Sequence, residues 1–394
     1  MLNFLKKTSR LDLLVILISI FLMIELFITK KLWVSFGREF PTVSVFKRIP
    51  FNIPEWLDLG FYVTGIFLLI LIIIIPKRRV VLNLFFVWAG FMVLMDVNRL
   101  QPWFYQFMLM IWVASNSSKK LESQSAVLAT IRLIVIVTYF WSGINKLNVH
   151  FASDVFPWLM QSFSWLEPLG SYPMLAYGIG AFEILLGLSF LMPQLWRYSV
   201  SLAVVFHSLI FLVLGPLGHN WNMVIWPWNV AMIITVIVLF PTRFIINPDV
   251  KDQTFSIRRY TPFFTVLLLL GILPALSLIN LWDKPLSMTM YSGIGKEVTF
   301  YLPKEEASCL PEYSIKEERI LDDIPVYTFD LDLWSEAEMG VPCYGTYNIY
   351  KRVGKHLCGC LTNTAQSGIL ILEPENRWKK AMKLDQIKCA ELLK

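Results

Sequence analysis

The chain has 394 residues, of which 56% are hydrophobic and 16% charged, with a formal net charge of +6. Soluble domains carry about a quarter charged residues, so this composition excludes an ordinary soluble protein and points to a polytopic α-helical membrane protein. The positive charge needs no nucleic-acid partner, because Lys and Arg in cytoplasmic loops account for much of it.

Lys6, Lys7 and Arg10 precede the first apolar run, 11–29. That run is long and no small-x-small cleavage site follows it, the pattern of a retained anchor. Further spans are expected at 57–75, 80–96, 102–115, 126–146, 173–192, 198–214, 223–240 and 261–281, making nine. About 20 apolar residues cross a bilayer as helix, and a spanning segment must satisfy its own backbone. The run 102–115 is short and begins at Pro102, so a tilted, broken or re-entrant element paired with 80–96 is expected there.

With the N-terminus cytoplasmic, the inner loops hold 13 Lys and Arg and the outer loops 7. This bias predicts a multi-pass protein of a cell membrane, of bacterial inner-membrane type, with its C-terminal region outside. All five cysteines (Cys309, Cys343, Cys358, Cys360 and Cys389) follow the last span. An oxidising side permits disulfides, and two bridges would leave one thiol over. Cys358 and Cys360 are too close for an easy mutual bridge, so each is expected to pair elsewhere. The spacing lacks the paired C-x-x-C of a zinc site, so no metal is expected.

Two domains follow: a transmembrane body, 1–281, and a small extracytoplasmic α/β domain, 282–394. In the latter, Glu297–Leu302, Val326–Leu331 and Gly368–Leu372 read as strands. Tyr347–Cys358 reads as a helix, with Ile349, Val353 and Leu357 four apart. The basic tail from Asn376 is expected to be helical. The loop 148–172, with Phe151, Phe156, Trp158, Phe163 and Trp165, is expected to form an aromatic cap at headgroup level.

Ionisable groups inside spans are costly and require a reason. Tyr139–Leu147 (YFWSGINKL) closes the fifth span with Asn145 and Lys146. Lys146 reads as a snorkelling end-of-helix lysine or as a partly buried base or nucleophile. Asn145 could bond a carbonyl. Glu183 and His207 each lie 12 residues from Leu195 in a helical hairpin, so both sit about 18 Å from its turn. They are expected to form either a structural bond between helices or an acid/base relay. Asp96 and Arg99 are spaced for an i,i+3 pair. The functional alternative puts Arg99, Gln101 and Trp103 at an external mouth, where an anionic or quinone-like head group docks. GHNWNMVIWPWN, residues 218–229, supplies His219, Asn220, Trp221, Asn222 and Asn229, with Asn222 and Asn229 expected on one helix face. It reads as an interfacial belt or as a wall for an amphipathic ligand.

YFWSGINKLNVHF resembles the horizontally transferred transmembrane family, which includes the vitamin K-dependent gamma-carboxylases. The family's aromatic–Gly–x–x–Lys–Leu segment matches through Lys146, and its Glu helix, Arg turn and Phe-His helix match through Glu183, Arg197 and His207. DoxX-like membrane proteins share a similar pattern. The resemblance covers roughly 80–240 and implies the helical fold, with Lys146 as catalytic base. RLQPWFYQF stands where the carboxylases carry a histidine-containing segment, and the C-terminal domain has no recognisable propeptide-binding feature.

Two functions are therefore expected. In the first, a membrane enzyme or redox-associated protein acts on a lipid-soluble small molecule, a quinone in the simplest form. In the second, a non-catalytic membrane module binds another protein through 282–394. No phosphate loop, G-x-S-x-G or H-E-x-x-H is present, which removes ATP-driven and zinc-protease chemistry.

Overall fold

The computed structural model describes residues 9–46, 53–118, 121–241, 261–314, 316–321 and 323–394. Several basic residues used to orient the chain, among them Lys6, Lys7, Lys47, Lys119 and Arg243, lie outside the described residues.

The N-terminal body is a bundle of helices. Helix α1 (Arg10–Ile28) starts at a capping box between Ser9 and Asp12. Then come α2 (Glu55–Ile74), α3 (Arg79–Met95), α4 (Pro102–Ser115) and α5 (Leu121–Lys146). The sequence continues with α6 (Pro173–Ser189), α7 (Trp196–Leu214), α8 (Ile225–Leu239) and α9 (Thr261–Val266). Among the described residues, five segments are long and apolar enough to cross a membrane: Arg10–Ile28, Glu55–Ile74, Ser123–Lys146, Pro193–Leu214 and Thr261–Ile279. Helices α3, α6 and α8 are apolar but shorter.

Helix α4 is continuous, with Pro102 at its first turn, where no N–H is needed. Its 14 residues extend only about 21 Å at 1.5 Å each. Nearly all of them are buried, against α1, α3 and α5. A helix apolar on every face is a core helix, and this one forms the axis of its half of the bundle. Beyond α9 the winding loosens over Leu267–Ile272 and tightens over Leu273–Ile279. Pro274 cannot donate to the preceding turn, and the Trp141 indole donates instead to the nearby Gly271 carbonyl at 3.0 Å.

The C-terminal domain is a five-stranded antiparallel sheet in the order β2-β3-β1-β4-β5. Its strands are β1 (Glu297–Pro303), β2 (Glu317–Leu321), β3 (Ile324–Asp330), β4 (Gly368–Asn376) and β5 (Lys379–Lys388). Helices α10 (Leu331–Met339) and α11 (Tyr347–Cys358) complete it. The basic tail expected as helix is the edge strand β5. Asn376 causes this: its side chain accepts the backbone N–H of Trp378 and Lys379 at 2.8 and 2.9 Å, turning the chain back onto β4. Lysines along an edge strand also discourage pairing with other sheets.

Cys358 bonds to Cys389 and Cys309 to Cys360, leaving Cys343 free and buried. The domain is held to the bundle by buried polar contacts. The Glu338 carboxylate accepts the N–H groups of Glu39 and Phe40 at 2.6 and 2.9 Å. Asn98 accepts the N–H of Tyr344 at 3.0 Å, and Gln101 donates to the Pro342 carbonyl at 3.1 Å.

Candidate functional site

Helices α5 and α6 touch backbone to backbone through glycines. A Cβ on Gly143 would lie 2.5 Å from the Gly180 carbonyl oxygen, and one on Gly187 would lie 3.0 Å from that of Ile136. Small residues are how helices approach this closely. Tyr139, Ser142 and Lys146 follow one another at i, i+3 and i+7, so they share a face of α5. The close packing sets that face against Glu183 of α6. The Lys146 ammonium donates to Ser142 Oγ at 2.6 Å and lies 3.0 Å from both carboxylate oxygens of Glu183.

A second polar chain starts one helix away. The Asn229 amide donates to the Ile225 carbonyl at 2.8 Å, which aims Oδ1 at His207. His207 Nδ1 is 2.7 Å from that oxygen, and Nε2 is 2.6 Å from the Tyr139 hydroxyl. The amide oxygen can only accept, so Nδ1 carries the proton of the neutral imidazole. Nε2 then accepts from Tyr139. The order Tyr139–His207–Asn229 is thereby fixed in direction as well as position.

Both chains open on one cavity of about 750 Å³. Its walls are otherwise mostly apolar, from Phe182 of α6, Phe206 of α7 and Met232 of α8. Phe151, Phe156 and Leu159 roof it, joined by Met288 and Tyr291 from the segment leading into the C-terminal domain. Among the described residues, Lys146 and Glu183 are the only charged side chains on its wall.

Lys146, Glu183, His207 and Asn229 therefore line a common space, but the expected Glu183–His207 contact is not made. Their equal distance from the hairpin turn fixed depth and left the azimuth open. Glu183 turns to α5, and His207 turns to α8 and Tyr139.

The other candidates sit elsewhere. Arg99 is sealed, donating to the carbonyls of Leu32, Trp33 and Met92 at 3.0, 3.0 and 3.1 Å. The expected Asp96–Arg99 pair is replaced by Arg38–Asp96 at 2.7 Å. Gln101 is taken up by the carbonyls of Asn98 and Pro342, and Trp103 is buried against Trp33. These three form no mouth.

Asn145 also points away from the cavity. It donates to the Ser287 carbonyl at 2.5 Å and accepts from Arg377, at the tip of the β4–β5 hairpin. Arg377 also donates to the Ile144 carbonyl at 3.1 Å, in the last turn of α5. His219 stacks on Trp158 at 4.3 Å and bonds its carbonyl at 2.7 Å. Trp221 meets the same indole edge-on. Asn220 and Asn222 take left-handed backbone conformations in the turn before α8. Asn222 is thus outside the helix and shares no face with Asn229.

Sequence reasoning missed Tyr139 and Arg377. The i, i+3, i+7 stripe ending at Lys146 could have revealed the tyrosine. Nothing local marks Arg377.

No family model, no curated protein and no solved structure matches this chain.

Proposed function

We propose that the chain is a multi-pass membrane protein that binds a lipid-soluble small molecule, quinone-like in character, in the cavity between α5 and α8 and acts on it. The observation that carries this is an apolar chamber of about 750 Å³ on which a Lys–Glu pair and a directed Tyr–His–Asn chain converge. Ligand pockets have this makeup, apolar walls with a few convergent polar groups, in volumes of about 300–1,000 Å³.

Lys146 is the base. Glu183, 3.0 Å away, is placed to take the proton of its ammonium. The freed amine then faces the chamber. The Tyr139 oxygen, its own proton held by His207, accepts from the O–H of the ligand's reduced, hydroquinone form, and His207 and Asn229 hold that tyrosine hydroxyl in place. The resemblance to the horizontally transferred transmembrane family supports this role for Lys146. In this reading the nine apolar segments cross the membrane, with the N-terminus cytoplasmic and the C-terminal domain outside. The positive-charge bias and the two disulfides support that orientation.

The test is binding of a short-chain prenylated naphthoquinone to the full chain in nanodiscs. Wild type should saturate. The double variant Lys146→Met/Glu183→Gln, which strands no charge, should bind at least a hundredfold more weakly with a melting temperature close to wild type. Equal binding by the two would sink the proposal.

A second reading makes the chain a module that captures a protein through its C-terminal domain. A groove of about 1010 Å³ between that domain and the loop at residues 35–42 favours it. Deleting 286–394 would then remove a copurifying partner, and Lys146→Ala would be silent.

A further inference from the structure

The two disulfides occupy opposite environments. Cys358 and Cys389 are buried, at 1% and 0% exposure. Cys360 is exposed and Cys309 half-buried, and both stand on the wall of the groove between the C-terminal domain and residues 35–42. An incoming nucleophile needs a line of approach to a sulfur. Only the second bridge has one, and a space of about 1010 Å³ lies in front of it.

The groove is built for more than a small thiol. Phe40 packs on Trp334 at 4.6 Å to give it an apolar floor. Phe36, which is 61% exposed, stands at its side. Glu39 and His356 add polar groups, and Pro41 and Thr42 form part of its rim. His356 lies four residues before Cys360, and its imidazole can accept a thiol proton. The loop itself is anchored: Glu338 holds Glu39 and Phe40 by their N–H groups, and Arg38 holds Asp96. The space in front of the bridge is therefore fixed.

We propose that this groove is a thiol–disulfide exchange site for an extended peptide segment bearing two cysteines. One peptide thiol gives its proton to His356 and attacks Cys360 Sγ. The Cys309–Cys360 bond breaks, and Cys309 leaves as a thiolate that takes the proton. The second peptide thiol attacks the mixed disulfide and releases Cys360. The peptide loses two electrons and two protons and gains a disulfide. Cys309 and Cys360 gain the same and become thiols. The sealed Cys358–Cys389 bridge holds α11 to the end of β5 throughout. This step is independent of what the membrane cavity binds.

The test uses the purified full chain and a reduced synthetic peptide containing Cys-Gly-Gly-Cys. One equivalent of peptide should oxidise while Cys309 and Cys360 become alkylatable. Cys358 and Cys389 should react at least a hundredfold more slowly. The Cys309→Ser chain, mixed with a Ser-Gly-Gly-Cys peptide activated as its 2-pyridyl disulfide, should trap a mixed disulfide on Cys360, because that peptide has no second thiol to release it. Thr42→Trp, at an exposed rim position, should slow the peptide at least tenfold and leave reduction by dithiothreitol unchanged. The proposal is overturned if both bridges react alike, or if Thr42→Trp affects peptide and dithiothreitol equally. Failure to trap the mixed disulfide overturns it as well.

Discussion

Two buried charge clusters of the bundle, around Arg99 and around Lys146, differ in one respect. Around Arg99, the guanidinium donates to three backbone carbonyls and Asp96 is ringed by Arg38, Val43 and Asn98. Neither Arg99 nor Asp96 lines either of the two cavities described, although their partners Asp58 and Arg38 stand on the wall of the groove under the C-terminal domain. Around Lys146, the ammonium has a carboxylate and a hydroxyl, and beyond them lies open volume. Buried charge alone does not mark a site, since both places have it. A convergent polar group beside unfilled space does.

The comparison breaks first at Arg99. Arg99→Ala strands three carbonyls and leaves Asp58 without its nearest cation, at 3.9 Å. Removing one member of a buried charge network costs about 3–5 kcal/mol, so thermal melts in detergent should show a collapse in stability or no folded protein. Lys146→Met/Glu183→Gln, which removes both charges and strands neither, should do the reverse: a hundredfold loss of quinone binding, or about 2.8 kcal/mol, with the melt little changed. If Arg99→Ala binds and melts as wild type, the two clusters are not different in kind.

Gly180→Val tests how the cavity is set. Its Cβ would stand 2.9 Å from Leu147 and 3.0 Å from the Gly143 carbonyl. Overpacking of this sort costs about 1–3 kcal/mol, and here it should push α6 off α5 and part Lys146 from Glu183. Quinone affinity should fall about tenfold; unchanged affinity would show that the glycine contact does not position the pair.

The smallest effect belongs to the C-terminal domain. The Asp332 carboxyl is pushed up to about 8, by burial first and then by the charge of Asp330. Its surface is only partly covered, yet Tyr350 and the Cys343 N–H close over both oxygens. A free Asp titrates near 3.9, so between about pH 4 and 8 the folded domain keeps a proton that the unfolded chain has lost. Stability from this group is therefore full at low pH and falls as pH rises through that window. Asp332→Asn keeps an acceptor for Cys343 and should flatten the decline, as measured by proteolysis of the full chain at pH 5 and pH 9. An unchanged slope would place the titration elsewhere.

Much of the helical body was legible because lipid-length apolar runs leave little choice of structure. Helices α1 to α8 begin and end within about five residues of the expected spans, whereas the run expected at 261–281 is α-helical only over Thr261–Val266 and continues with altered winding to Ile279. The tail at 379–388 was misread because its lysines suit a helix surface as well as a sheet edge. The decision lay in Asn376, whose side chain makes the turn.

At the site, the residue types were legible and the pairings were not. Lys146, Glu183, His207 and Asn229 stood out as polar groups in apolar runs. Their partners depend on helix rotation, which the Gly143–Gly180 contact sets and a single strand of text does not display. Arg99 stood out for the same reason as Lys146 and proved to be a structural clamp. Its carbonyl partners, Leu32 and Trp33, leave no mark in a sequence of side chains.

Arg377 carries one more implication. It grips Asn145, a residue 232 positions earlier in the chain. At about 5–20 residues per second, ribosomes need roughly 10–50 s to add that stretch. Until then the Asn145 amide oxygen lacks its guanidinium, and the Ile144 carbonyl has only the Leu147 N–H of its own turn. The cavity is finished late in synthesis, so a chain stalled or clipped before the hairpin has every helix of the chamber and not the contact that locks it.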